Sequence, residues 1–176
     1  MISMPEAIAR AADPLVVLTF ALILDAIVGD MRWLFRILPH PVVLAGRLTG
    51  FLDAKLNRRG RSAANRLIRG MIVTFIVAGL AALSGWALGE AGRRIPYGWG
   101  IELFFVTVLI AQRSLYGHAR AVAIALRRDG LPAGRAAVAH IVGRKTDRLD
   151  EHGVARGAIE SLSENFADGV VAPAFW

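Results

Sequence analysis

The sequence predicts an all-α, polytopic integral membrane protein with about three transmembrane helices and additional cytoplasmic helices. Three observations lead there. First, 55% of the residues are apolar and mean hydropathy is +0.49, above the 45–50% apolar content usual in soluble domains. Second, Gly70–Gly89 runs twenty residues without a charge, the length a helix needs to cross a hydrocarbon core. Third, the basic residues alternate along the chain. One Lys/Arg precedes the first apolar run, nine lie in Met31–Arg69, two in Glu90–Gly100 and nine from Gln112 onward. That alternation fits the positive-inside rule for three crossings of an inner (cytoplasmic) membrane with the N-terminus outside.

The first ten residues carry Glu6 and only Arg10, so no basic segment precedes an apolar one and a cleaved signal peptide is not expected. The first span is placed at about residues 14–29. It is short and holds Asp25 near its end, and a carboxylate inside an apolar stretch is a site candidate by default. Residues 31–69 are expected on the cytoplasmic side, where Lys55-Leu-Asn-Arg-Arg-Gly-Arg61 suits a lipid headgroup surface. The second span is residues 70–89, with Gly79, Ala81, Ala82, Ser84 and Gly85 suited to close packing in lipid. The third is expected at about 99–112, continuing without a breaker to Arg128 as one long helix that leaves the membrane. Leu115, Ala119, Val122 and Leu126 share a face of that extension. Asp129-Gly130-Leu131-Pro132 ends it, and residues 113–169 complete the cytoplasmic part. Residues 1–176 read as one membrane domain, without repeats or low-complexity tracts.

Charge alone, +7 with a pI near 11.1, invites a nucleic-acid reading. The loop placement of the arginines accounts for it instead, and no nucleic-acid partner is expected. Cysteine is absent, which excludes disulfides and thiolate chemistry.

The chemistry concentrates near the C-terminus. Asp150 is placed as the cap of a helix from about Glu151 to Asn165. Arg156, Glu160 and Glu164 recur every four residues, forming one stripe. Asn165 and Asp168-Gly169 are read as a turn that returns a third carboxylate toward Glu164. Two or three such oxygen ligands, with water and substrate phosphates, make a usual Mg²⁺ site. The competing reading is a solvated face on which Arg156 and Glu160 form an ordinary surface ion pair. Gly143-Arg144-Lys145-Thr146 ends like a phosphate loop, but position 138 is Val rather than Gly, which excludes a Walker A loop. Arg144 and Lys145 remain phosphate-clamp candidates beside the reading as a surface loop. Asp30 follows Gly29 at the exit of the first span. His40 stands between Pro39 and Pro41 on a stiff extended segment, as a site candidate or a structural histidine.

These segments together resemble the adenosylcobinamide-phosphate synthase family of cobalamin biosynthesis (CobD/CbiB). In the N-terminal half the resemblance rests on Leu24-Asp25 through Gly29-Asp30, Arg32-Trp33, Pro39-His40-Pro41-Val42 and Gly46-Arg47. In the C-terminal part it rests on Val142-Gly143-Arg144, Thr146-Asp147, Leu149-Asp150, Ala155-Arg156, Ile159-Glu160-Ser161, Glu164-Asn165, Asp168-Gly169, Val171-Ala172-Pro173 and Phe175-Trp176. The resemblance implies an inner-membrane enzyme. It joins a carboxylate of adenosylcobyric acid to the amine of aminopropanol or aminopropanol phosphate, with ATP and Mg²⁺, and other cobalamin-pathway enzymes are possible partners. By the chemistry of their side chains, Glu160, Glu164 and Asp168 are assigned to metal and nucleotide in such a reaction. Glu160, Glu164 and His40 are the catalytic candidates, and Arg144, Lys145, Arg156, Asn165, Asp25 and Asp30 bind substrate or phosphate. Two departures are visible. Met31 stands where the family commonly has Pro, and Phe166-Ala167 where it often has Thr-Ser. Family members are longer, so the chain is expected to be an N-terminal fragment of such an enzyme. The rival expectation is a non-catalytic membrane scaffold or regulatory protein sharing the fold.

Overall fold

Proline and cap residues set where the helices begin. In the computed structural model, which describes residues 13–31, 33–58, 60 and 62–175, helix α1 (Pro14–Val28) starts with Pro14 at its first turn. Asp13 accepts a hydrogen bond there from the Leu15 N–H. Helix α2 (Pro41–Leu56) repeats the device with Pro41 and His40. Ser62 caps α3 (Ala63–Arg94), and Asp150 caps α7 (Glu151–Phe166) through the Gly153 N–H at 2.7 Å. Between them lie α4 (Trp99–Leu109), α5 (Gln112–Arg128) and α6 (Gly130–Val138). After α7 the chain takes a π-helical turn, Ala167–Val171, into the short α8 (Ala172–Phe175). No strand occurs among the described residues. The leader expectation for residues 1–10, and the motif residues Arg32 and Trp176, fall outside the described residues.

The chain divides into two compact units. One contains α2, α3 and the first turn of α4. Asn57 joins the end of α2 to the start of α3: it donates to Asp53 at 2.9 Å and accepts from Arg66 at 3.1 Å. At 32 residues α3 extends about 48 Å, and it is long and apolar enough to cross a membrane. Leu67, Met71, Phe75, Leu83 and Trp86 are exposed along it. The expected span 70–89 lies inside it. Of the other two expected spans, α1 is an apolar helix of 15 residues and α4 has 11.

The second unit holds α1, the rest of α4 and everything from α5 onward. Its core is Val122 of α5, Val138 of α6, and Val154 and Ala158 of α7, with Leu126, Ile141, Val142 and Leu162 packed around them. Gly134 lets α6 fold tightly onto α5, because a Cβ there would lie 2.7 Å from Leu126 Cδ1.

Two expectations need correction, and one gains a detail. The long helix expected from 99 to 128 is two helices: Leu109 ends α4, and Ala111 leaves helical geometry at φ −129°, ψ 28°. The stop at Asp129-Gly130 is real, but Gly130, at φ +80°, turns the chain straight into α6. The turn expected at Asn165–Gly169 is instead continued helix, widening through one π turn in which the Ala172 N–H reaches Ala167 O.

Candidate functional site

The break between α4 and α5 is where distant segments meet. A helix start leaves N–H groups without partners, and Ala111, preceding α5, has no side-chain acceptor to offer. Two other segments supply acceptors. Gly169 O of the π turn accepts from the Ala111 N–H at 2.9 Å. The Asp25 carboxylate of α1 accepts from the Arg113 N–H at 3.1 Å. Asp25 is only 2% exposed, and a carboxylate is stable at such depth when hydrogen-bonded at the positive end of a helix.

The contacts are reciprocal. Gln112 donates its side-chain amide to Leu22 O, and Arg113 Nη1 donates to Ala26 O at 2.8 Å and Ile27 O at 2.5 Å. A guanidinium thus covers the carbonyl end of α1, where a cation is favoured. Gly29 follows at φ +67°, and a Cβ there would stand 2.5 Å from Arg113 Cδ. Asp30 is exposed immediately beyond. Sequence reasoning flagged Asp25 and Asp30 but missed Gln112 and Arg113. The one available signal was a Gln-Arg pair directly after an apolar segment.

The second assembly lies on α7. The loop 143–149 connects α6 to the Asp150 cap, and Arg135 of α6 ties it down by donating to Leu149 O at 2.6 Å. Arg144 then lies across α7 and pairs with Glu160, Nη2 to Oε2, at 2.8 Å. Gly157 permits the crossing, since a Cβ at that position would meet Arg144 Nη2 at 3.3 Å and Val142 Cγ1 at 3.7 Å. The expected Arg156–Glu160 surface pair is therefore replaced by a pair between loop and helix. Lys145, Arg156, Glu164, Asn165 and Asp168 are exposed on or beside the same helix. Among the described residues, no three acidic or histidine side chains gather as a metal cage. Glu160 and Glu164 are spaced by four on α7, and Asp168 follows in the π turn.

His40 belongs to the other compact unit. Its Nδ1 accepts from the Val42 N–H at 3.3 Å as the cap of α2, and its ring centroid lies 4.4 Å from that of Phe35. The cap requires an unprotonated Nδ1, so the fold gives this histidine a structural task of its own.

The family model described as CobD/Cbib protein matches residues 18–176. A cobalamin biosynthesis protein CobD from a Sinorhizobium species is 48% identical over 163 residues, covering 92% of this chain and 50% of the relative. One from Rhizobium meliloti is 46% identical over 168 residues, covering 94% and 51%. One from Pelobacter propionicus is 38% identical over 166 residues, covering 93% and 49%. The chain spans about half the length of these curated relatives. No solved structure matches it significantly. The chain belongs to the CobD/Cbib protein family.

Proposed function

We propose that this family member carries the phosphate-handling part of a membrane-embedded, ATP-dependent ligase of cobalamin biosynthesis. In this reading it joins adenosylcobyric acid to aminopropanol or aminopropanol phosphate as an amide. The observation that carries the proposal is the Arg144–Glu160 pair at 2.8 Å. It sets a guanidinium against the first carboxylate of an exposed acidic stripe. Such an arrangement suits a nucleotide carrying its own cation: the guanidinium meets phosphate oxygens, and carboxylates meet the metal.

The residues fit magnesium in that form. Glu164 and Asp168 stand about one turn apart, exposed and without an ion-pair partner among the described residues. Mg²⁺ takes one or two carboxylates, keeps several waters and shares the nucleotide phosphates. When bound, magnesium and ATP supply the driving force for making an amide from a carboxylate. Arg144, Lys145 and Arg156 orient phosphate and offset its charge, and Asn165 offers a neutral donor and acceptor beside them. Asp25 acts by fixing the α1–α5 junction, which presents Asp30 to solvent at the corrinoid or amine side. His40 holds the start of α2.

The setting is the inner membrane, with α3 as a spanning helix and the apolar α1 and α4 as further membrane segments. The discontinuity between α4 and α5 supports this reading. Irregular backbone at membrane depth persists where other parts of the protein satisfy it, as Asp25 and Gly169 do here.

The test is Glu164→Gln in membranes that form the amide. The ligase reading expects product to fall on the order of 10²-fold with insertion unchanged. A non-catalytic scaffold tolerates the substitution.

A further inference from the structure

The face of α5 opposite the core carries a feature that none of the residues above accounts for. Arg113, Tyr116, Gly117, Arg120 and Asp129 line an open groove of about 540 Å³, with Ile124 among the residues of its apolar wall. That size falls in the range of small-molecule sites.

Four observations give the groove a chemical preference. Arg113 is held in place by its bonds to Ala26 O and Ile27 O, so its charge is fixed at one end. Arg120, seven residues on and on the same face, has no ion-pair partner among the described residues. Seven residues separate the two by about 10 Å along the axis, a gap that the long Arg120 side chain can reach across toward the fixed Arg113 guanidinium. Nothing lies within 4 Å of a Cβ built at Gly117, midway between them, so a ligand can approach the helix backbone there. Tyr116, 70% exposed, adds a phenol and a ring at the same level. The one acidic lining residue, Asp129, stands at the far end of the helix.

The geometry points to a binding site for a phosphate ester in this groove, with Arg120 and Arg113 as the cationic ligands and Tyr116 beside them. Planar guanidinium groups bind phosphate through paired N–H donors. The site is distinct from Arg144, Lys145 and Arg156, and it does not depend on the ligase reading. A free phosphate compound and a lipid headgroup share this chemistry.

The experiment uses the whole chain in nanodiscs. In the first arm the discs contain phosphatidylcholine only, and inorganic pyrophosphate is titrated by calorimetry. In the second arm the discs contain phosphatidylcholine and phosphatidylglycerol, and retained phosphatidylglycerol is counted by native mass spectrometry. Arg120→Gln and Gly117→Leu are expected to weaken pyrophosphate binding, or lipid retention, at least about tenfold, a loss of one guanidinium contact or of the space for the ligand. Arg94→Gln, on α3 and outside the groove's lining, is expected to leave both unchanged. Loss in the first arm identifies a free phosphate compound; loss in the second alone identifies a headgroup. Either supports the site. Circular dichroism matching the unsubstituted chain shows that the variants fold. Arg120→Gln behaving as the unsubstituted chain in both arms overturns the proposal, as does the absence of saturable binding in both.

Discussion

The Asp25 carboxylate accepts the backbone N–H of Arg113 across 88 positions of sequence, and through that bond α1 caps the start of α5. The bond is one of several that hold the α4–α5 break. Ala111 donates to Gly169 O, while Gln112 and Arg113 reach back to the carbonyls of α1. Two stretches of the family resemblance, Leu24–Asp30 and Asp168-Gly169, therefore meet at the start of α5. Asp25 is a positioning residue in this arrangement.

Asp25→Asn keeps an oxygen that can accept from Arg113, whereas Asp25→Leu leaves that partly buried N–H without its acceptor. The leucine variant is expected to lose about 1–3 kcal/mol, the penalty of an unsatisfied buried donor, and the asparagine variant markedly less. Unfolding in detergent, followed by circular dichroism, checks the difference. Equal losses would show that the negative charge, rather than the accepted hydrogen bond, stabilises the junction.

At Gly29 both the backbone and the space disfavour any side chain, with φ +67° and Arg113 Cδ 2.5 Å from a built Cβ. Gly29→Ala is expected to cost about 1–3 kcal/mol and to raise amide hydrogen exchange in the peptide containing Arg113. Unchanged exchange there would separate Gly29 from the Arg113 contact.

Gly157 supports Arg144 from below. Gly157→Leu is expected to displace the loop and reduce amide formation by about tenfold or more, since small misplacements of a binding group cost rate steeply. Gly157→Ala, whose Cβ meets the movable end of Arg144 at 3.3 Å, is expected to retain most activity. The Arg144–Glu160 pair is more than half exposed on both sides, so breaking it is expected to alter stability little. Turnover that falls with stability preserved marks a functional pair.

What the sequence revealed, and what it hid, follows from the range of the interactions. The apolar helix over 70–89 was legible because an apolar run of that length is a local property, and α3 contains it. The cap at Asp150 and the extent of α7 were legible for the same reason. The break at Ala111 was not. No glycine or proline marks it, and its partners, Asp25 and Gly169, lie far away in sequence. Helix α2 went unread although Pro41 at its first turn is a recognised start signal, because a histidine cap is uncommon among the usual Ser, Thr, Asp and Asn. The surface-pair reading of Glu160 named the wrong partner. Helical spacing offered Arg156, while the fold of loop 143–149 delivers Arg144. The acidic stripe was legible residue by residue, and its continuation through a π turn was not, since Asp168-Gly169 reads locally as a turn.

The measurement that tests the ligase reading most directly joins this chain to the remaining half of the Rhizobium meliloti relative, which it matches at 46% identity. Washed membranes containing the joined protein receive adenosylcobyric acid, aminopropanol phosphate, ATP and Mg²⁺, and the amide is sought by mass. Product that depends on ATP and disappears with Glu164→Gln is the predicted result. No product from inserted protein, under conditions where the relative itself forms it, would contradict the ligase reading.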